Sequence, residues 1–172
     1  MESEVSNLRG RHHRTGSVNT NMEVLLADEY GFCFGVERAV EMVEEAVEEG
    51  ARPIRSLGPL IHNAQEMERL SARGVSTIDS PDEAGADTIA VIRAHGVTPQ
   101  VQQELEGRAA KVIDATCPFV TRVQHLAERA AKQGRDVVVA GNPDHPEMIG
   151  VVGYAPNNTY VVRDASEVGA TK

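Results

Sequence analysis

Short apolar runs alternate with stretches of helical periodicity along most of the chain. Residues 22–27 (MEVLLA), 53–57, 75–78, 88–92 (TIAVI), 111–113, 136–140 (DVVVA) and 159–162 read as strands. The clearest of them (22–27, 88–92 and 136–140) are nearly continuous in apolar residues, as strands covered on both faces are. Over 36–49 the apolar positions are Val36, Ala39, Val40, Val43, Ala46 and Val47, a spacing that predicts an amphipathic helix with six glutamates on its outer face. Gly50 closes it as a C-cap. The glutamate face reads as solvated rather than as a docking surface. A second helix follows Asn63 and ends at Gly74, and Ser80-Pro81-Asp82-Glu83 reads as a turn or helix start. Thr98 caps a third helix, with Pro99 at its first position. Pro118 opens a fourth, with Val120, Val123, Leu126, Ala127 and Ala130 on one face, ending near Gly134. Residues 141–146 form a Gly/Pro-rich loop, and Glu147 stands at the start of another helix.

Strands alternating with helices predict an α/β fold with mainly parallel sheets. The spacing suggests two small α/β lobes, residues 22–94 and 95–172. Residues 1–21 are polar and aperiodic, with Arg9, Arg11, His12, His13 and Arg14 close together, and are expected to be a disordered leader. Glu2 and Glu4 weaken a transit-peptide reading.

Composition narrows the function. A net charge of −9 and 3% aromatic residues, with no Trp, disfavour nucleic acid and anionic membrane surfaces as partners. No apolar run approaches the roughly 20 residues needed to cross a bilayer. The chain's two cysteines lie far apart and no apolar export signal precedes them, so a reducing, cytoplasmic setting is expected.

Those cysteines mark the chemistry. Cys33, in GFCFG, and Cys117, in DATCP, each stand between a strand and a helix. Backbone N–H groups and the positive end of a helix dipole favour the thiolate there, the form that binds metal or attacks as a nucleophile. Buried structural thiols are the plainer alternative. His62, His95 and His145 occupy the same kind of junction, past the carboxyl end of a strand and before a helix. Ligands bind at that edge of open α/β sheets, and helix N-termini there accept phosphate. A diphosphate suits such a pocket; singly, each histidine reads equally as a local cap. Glu147 is either a simple N-terminal charge or a proton donor over the pocket. His125 reads as a mid-helix surface residue. Zinc is disfavoured, because no close C-x-x-C pair exists. An iron–sulfur cluster fits the loop positions better but needs at least a third thiolate.

GFCFGVERAV, GPLIHN, RAHGV, DATCPFV and the DHPE-containing loop stand in an order that resembles the IspH/LytB family of 4-hydroxy-3-methylbut-2-enyl diphosphate reductases. The resemblance runs from about Met22 to the end of the chain. It implies a trefoil of three α/β lobes around a [4Fe-4S] cluster held by three cysteines. The implied reaction is the reductive dehydroxylation that yields isopentenyl and dimethylallyl diphosphate in the methylerythritol phosphate pathway. Carried over, Cys33 and Cys117 are the first two cluster ligands, and His62, His95 and His145 surround the diphosphate. His145 also lies near the reacting hydroxyl, and Glu147 feeds protons toward it. Electrons come from ferredoxin or flavodoxin. The family's third cysteine and remaining substrate ligands belong to a C-terminal lobe without a counterpart in these motifs. The resemblance therefore implies a partial reductase, completed by the missing lobe or by a chain that supplies it. Two other readings compete: a non-catalytic phosphate-ligand binding module, and a thiol redox protein using Cys33 and Cys117.

Overall fold

The computed structural model describes residues 30–50 and 52–170 together with 25, 27 and 28. The chain divides into residues 1–30 and 31–172, and every helix and strand among the described residues lies in the second unit. The expected leader, and most of the strand expected over 22–27, lie outside the described residues.

Helix α1 (Phe34–Glu49) begins two residues earlier than its periodicity predicts, because Cys33 takes the N-cap with extended backbone and its carbonyl accepts from the Val36 and Glu37 N–H groups. Gly50, at φ 63°, ends it in the left-handed region that glycine tolerates. Strand β1 (Ile54–Leu57), helix α2 (Ala64–Ala72), β2 (Val75–Ile78), β3 (Ile89–Ile92), α3 (Pro99–Arg108) and β4 (Lys111–Asp114) follow. Thr88 stays outside β3: its hydroxyl donates to the Gly85 carbonyl and accepts from the Gly85 N–H, holding a turn. Ser80–Glu83 forms a capping box over a single 3₁₀ turn.

The four strands make one parallel sheet in the order β2-β1-β3-β4. Alternate residues feed opposite faces. Ile54, Val75, Ile89, Val91 and Ile113 pack with α1 and with Leu70 of α2. Leu57, Ile78, Ala90 and Ile92 pack with Leu105 of α3 on the other side. The sheet is thus covered on both faces, as continuous apolar strands require.

Here the structure departs from the expected lobe boundary. Strand β4, assigned from the sequence to the second lobe, pairs with β3 from Ile89↔Lys111 to Ile92↔Asp114 and completes the first sheet. His95 and Cys117 consequently stand at this sheet's carboxyl edge. Only after Cys117 does the chain leave it, through α4 (Pro118–Lys132), β5 (Val137–Ala140), α5 (Pro146–Tyr154) and β6 (Thr159–Val162). β5 and β6 form a separate two-stranded parallel sheet. Ala127, Val151 and Ala155 centre a small core with Val137 and Val139.

Helix α4 turns a different face inward than its pattern suggests. Val120, Gln124 and Ala127 are buried, while Val123 and Leu126 are exposed. Its apolar arc is wider than its contact with α5 and β5, so packing decides which part is covered. The glutamate face of α1 is solvent-facing but not unpartnered: Glu44 meets Arg69 and Arg73, and Glu49 meets Lys111. Exposed pairs of this kind contribute little to stability.

Candidate active site at the carboxyl edge of the sheet

The chain runs from β1 to β2 on one side and then crosses back to place β3 on the other side of β1. The loops after β1 and β3 therefore diverge, and a crevice opens between them at the point where strand order reverses. His62 lies in the first of these loops and His95 in the second. Asn63, just after His62, caps α2 by accepting from the Glu66 N–H at 2.9 Å. His145, from the second group of elements, caps α5 and completes the cluster.

The three imidazoles converge. Ring centroids are 4.6 Å apart for His62 and His95, 5.5 Å for His95 and His145, and 6.3 Å for His62 and His145. One nitrogen from each lies within 4.8 Å of the others. Spacing alone would admit either a metal ion or an anion. The hydrogen bond at His145 separates the two. Its Nδ1 accepts from the Glu147 N–H at 3.2 Å, which assigns the ring proton of the neutral imidazole to Nε2. An Nε2–H is a donor, suited to a phosphate oxygen and not to a cation.

His95 is half-buried and its Nδ1 has no hydrogen-bond partner among the described residues. Its pKa is pushed down to about 4, first by burial, then by the positive charge of His62, Arg93 and His145. At neutral pH this ring is an uncharged donor. His62 is exposed at the mouth, and a cleft of about 200 Å³ lined by Phe32, Val36, Ile61 and both histidines opens beside it.

The cysteines approach the same edge. Past the strands, the Ala115 N–H donates to the Ile92 carbonyl at 3.0 Å and the Cys117 N–H to the Ala94 carbonyl at 2.9 Å, so Cys117 is tied beside His95. Thr116 is held by Asp114, whose Oδ1 accepts from its N–H at 2.9 Å and its hydroxyl at 2.5 Å. Arg38 of α1 donates to the Thr116 carbonyl. Gly35 packs directly on Cys117: a Cβ there would overlap Sγ and lie 3.0 Å from the cysteine's own Cβ. The loop bearing Cys33 thereby abuts the loop bearing Cys117. Both cysteines are free thiols at helix N-caps, Cys33 exposed and Cys117 half-buried, and neither side chain makes a capping bond. Glu147 is half-buried in the first turn of α5.

Two residues escaped the sequence reading. Arg93, in RAHGV, follows β3 directly; it is half-buried, its Nε lacks a hydrogen-bond partner among the described residues, and burial lowers its pKa. A charge directly after a fully buried strand was the available signal. Gln124 is a polar residue at a core position of α4. His125, by contrast, is exposed as expected, edge-on to Tyr154 and near Glu128. His12 and His13 lie outside the described residues. No helix among the described residues is long and apolar enough to cross a membrane.

The family described as LytB protein matches residues 24–172, nearly the whole chain. This chain belongs to the LytB family. A curated LytB relative, 4-hydroxy-3-methylbut-2-enyl diphosphate reductase of Campylobacter concisus, is 44% identical over 152 residues, covering 88% of this chain and 54% of the relative. The corresponding enzyme of Alkaliphilus oremlandii is 38% identical, with 86% and 53% covered. Among solved structures, an (E)-4-hydroxy-3-methyl-but-2-enyl diphosphate reductase, the terminal enzyme of the non-mevalonate pathway, superposes with a TM-score of 0.75 at 37% identity, over 86% of this chain and 53% of that one. The E-1-hydroxy-2-methyl-but-2-enyl-4-diphosphate reductase of Plasmodium falciparum gives a TM-score of 0.79 at 31% identity, over 84% and 46%. The chain spans about half the length of the curated relatives it matches.

Proposed function

We propose that this chain forms part of the active site of an iron–sulfur-dependent 4-hydroxy-3-methylbut-2-enyl diphosphate reductase of the methylerythritol phosphate pathway. The remaining groups would come from the portion of LytB proteins that it does not span. The observation that carries this reading is the convergence of three imidazoles and a helix N-cap thiol on one sheet edge, in a chain of the LytB family.

In this reading His62, His95 and His145 bind the substrate diphosphate. Their imidazole N–H groups donate to its oxygens, and the N-terminus of α5 adds a favourable dipole. Arg93 adds positive charge next to His95. Glu147, beside His145, carries the proton delivered to the departing hydroxyl. The balance is a C–O bond broken, a C–H bond formed, two electrons and two protons consumed, and one water released.

Cys33 and Cys117 fit a [4Fe-4S] cluster as far as two ligands go: they are free, soft sulfur donors whose side chains take no part in capping. Such a cluster supplies one-electron transfer, here from ferredoxin or flavodoxin. Its further protein ligand lies outside this chain, which has two cysteines in all. That count favours a second reading, a non-catalytic phosphate-ligand binding module that keeps the histidines.

Two measurements test the proposal. Calorimetric titration with inorganic pyrophosphate should show binding that weakens at least about tenfold, or about 1.4 kcal/mol, in His95→Ala and His145→Ala. Wild-type affinity in both variants would overturn the anion site. Anaerobic iron and sulfide reconstitution should give a cluster when the remaining portion of a LytB reductase is added, and none when Cys33 or Cys117 is replaced. Pyrophosphate binding without any cluster under those conditions would establish the binding module instead.

A further inference from the structure

Arg93 is half-buried, yet its guanidinium makes no ion pair and no hydrogen bond among the described residues. Arg38, Arg69, Arg73 and Arg108, by contrast, each meet a carbonyl or a carboxylate. Withdrawing a charged fork of N–H donors from water without a partner is unfavourable. The surroundings of Arg93 give that charge a use. It lines a cleft of about 180 Å³ on the α3 side of the sheet, with Leu57, Val97, Val101, Ile149 and Asp79 among the walls. The cleft beside His62 opens on the α1 side, and the two share no lining residue. None of the three clustered histidines lines the cleft of Arg93.

The walls define the ligand. They hold one cation, one carboxylate and several aliphatic side chains. A monoanion balances Arg93, whereas a phosphate or diphosphate would bring a second negative charge toward Asp79. The aliphatic walls favour a hydrocarbon stem on the anion. The volume lies below the roughly 300 Å³ at which sites for drug-sized ligands begin, so the occupant is small. We propose that this cleft is a second anion site, in which Arg93 holds the carboxylate of a small acid whose short apolar stem packs against Leu57, Val97 and Ile149. The guanidinium fork matches the two oxygens of a carboxylate. The site stands apart from the histidine cluster, and neither reading depends on the other.

The test titrates the full, isotope-labelled chain with butyrate at constant ionic strength and follows the Arg93 side chain and the Val97 and Gly150 amides by NMR. Saturable shifts at these groups are expected. Acetate, which lacks most of the stem, should bind at least about fivefold more weakly. Butyrate affinity should fall at least about tenfold in Arg93→Gln and rise about twofold in Asp79→Asn. The Asp79→Asn result decides the matter if Arg93→Gln does not fold. Shifts that never saturate would mean that the cleft holds water only, and would overturn the proposal. Unchanged affinity in a folded Arg93→Gln would overturn it too, as would displacement of butyrate by inorganic pyrophosphate. Butyrate binding in a chain that binds no pyrophosphate would uphold this site while the histidine anion site fails.

Discussion

His95 brings a proton equilibrium with it into the fold. Because burial, and after it the neighbouring His62, Arg93 and His145, depress its folded pKa to about 4 from an ordinary 6.5, the folded chain resists protonation where the unfolded chain accepts it. Between those values the unfolded state binds more protons, so stability rises with pH there. The contribution is fully present above about 6.5 and is lost as pH falls through about 4. Urea denaturation at several pH values should show this slope in the wild type and a flatter one in His95→Asn. An equal slope in both would mean that other groups dominate acid sensitivity. The same low basicity leaves the ring uncharged at neutral pH.

Two helices begin at cysteines whose side chains leave the capping position unused. Asn63 and Thr98, by contrast, accept from the first-turn N–H groups of α2 and α3. Helix stability alone would favour serine at 33 and 117, since its hydroxyl satisfies an otherwise orphan N–H. Cys33→Ser and Cys117→Ser should therefore match or exceed wild-type stability, by up to about 1 kcal/mol in chemical denaturation. Both should lose iron on reconstitution with the completing LytB portion. Marked destabilisation would instead assign the sulfurs a packing role.

Across the whole molecule, the apolar surface is not fully covered. Phe119, Val123 and Leu126 form a stripe on α4 and are 68%, 39% and 47% exposed, and Val138 of β5 is 48% exposed. Contiguous exposed apolar residues promote association. Sedimentation at micromolar concentration should show self-association of this chain, reduced in Phe119→Glu/Leu126→Glu. A clean monomer without those substitutions would count against it.

Element order was legible in the sequence because it depends on local signals. Continuous apolar runs marked β3 and β5, the 3.6-residue period marked α1, and Thr98-Pro99 and Cys117-Pro118 marked helix starts. The motifs around Cys33, His62, His95, Cys117 and His145 were legible too, and with them the family. Strand partnership was not, because pairing is non-local: residues 111–114 carry nothing that says they join β3 and not β5. Nor could the pattern on α4 tell which side of a broad apolar arc faces α5. That choice buried Gln124 and left Val123 and Leu126 outside. Local pattern was enough to place residues at strand–helix junctions. That three of those junctions meet depends on packing between distant segments, because strand order reverses between β1 and β3 and glycines let α5 close against the His95 turn.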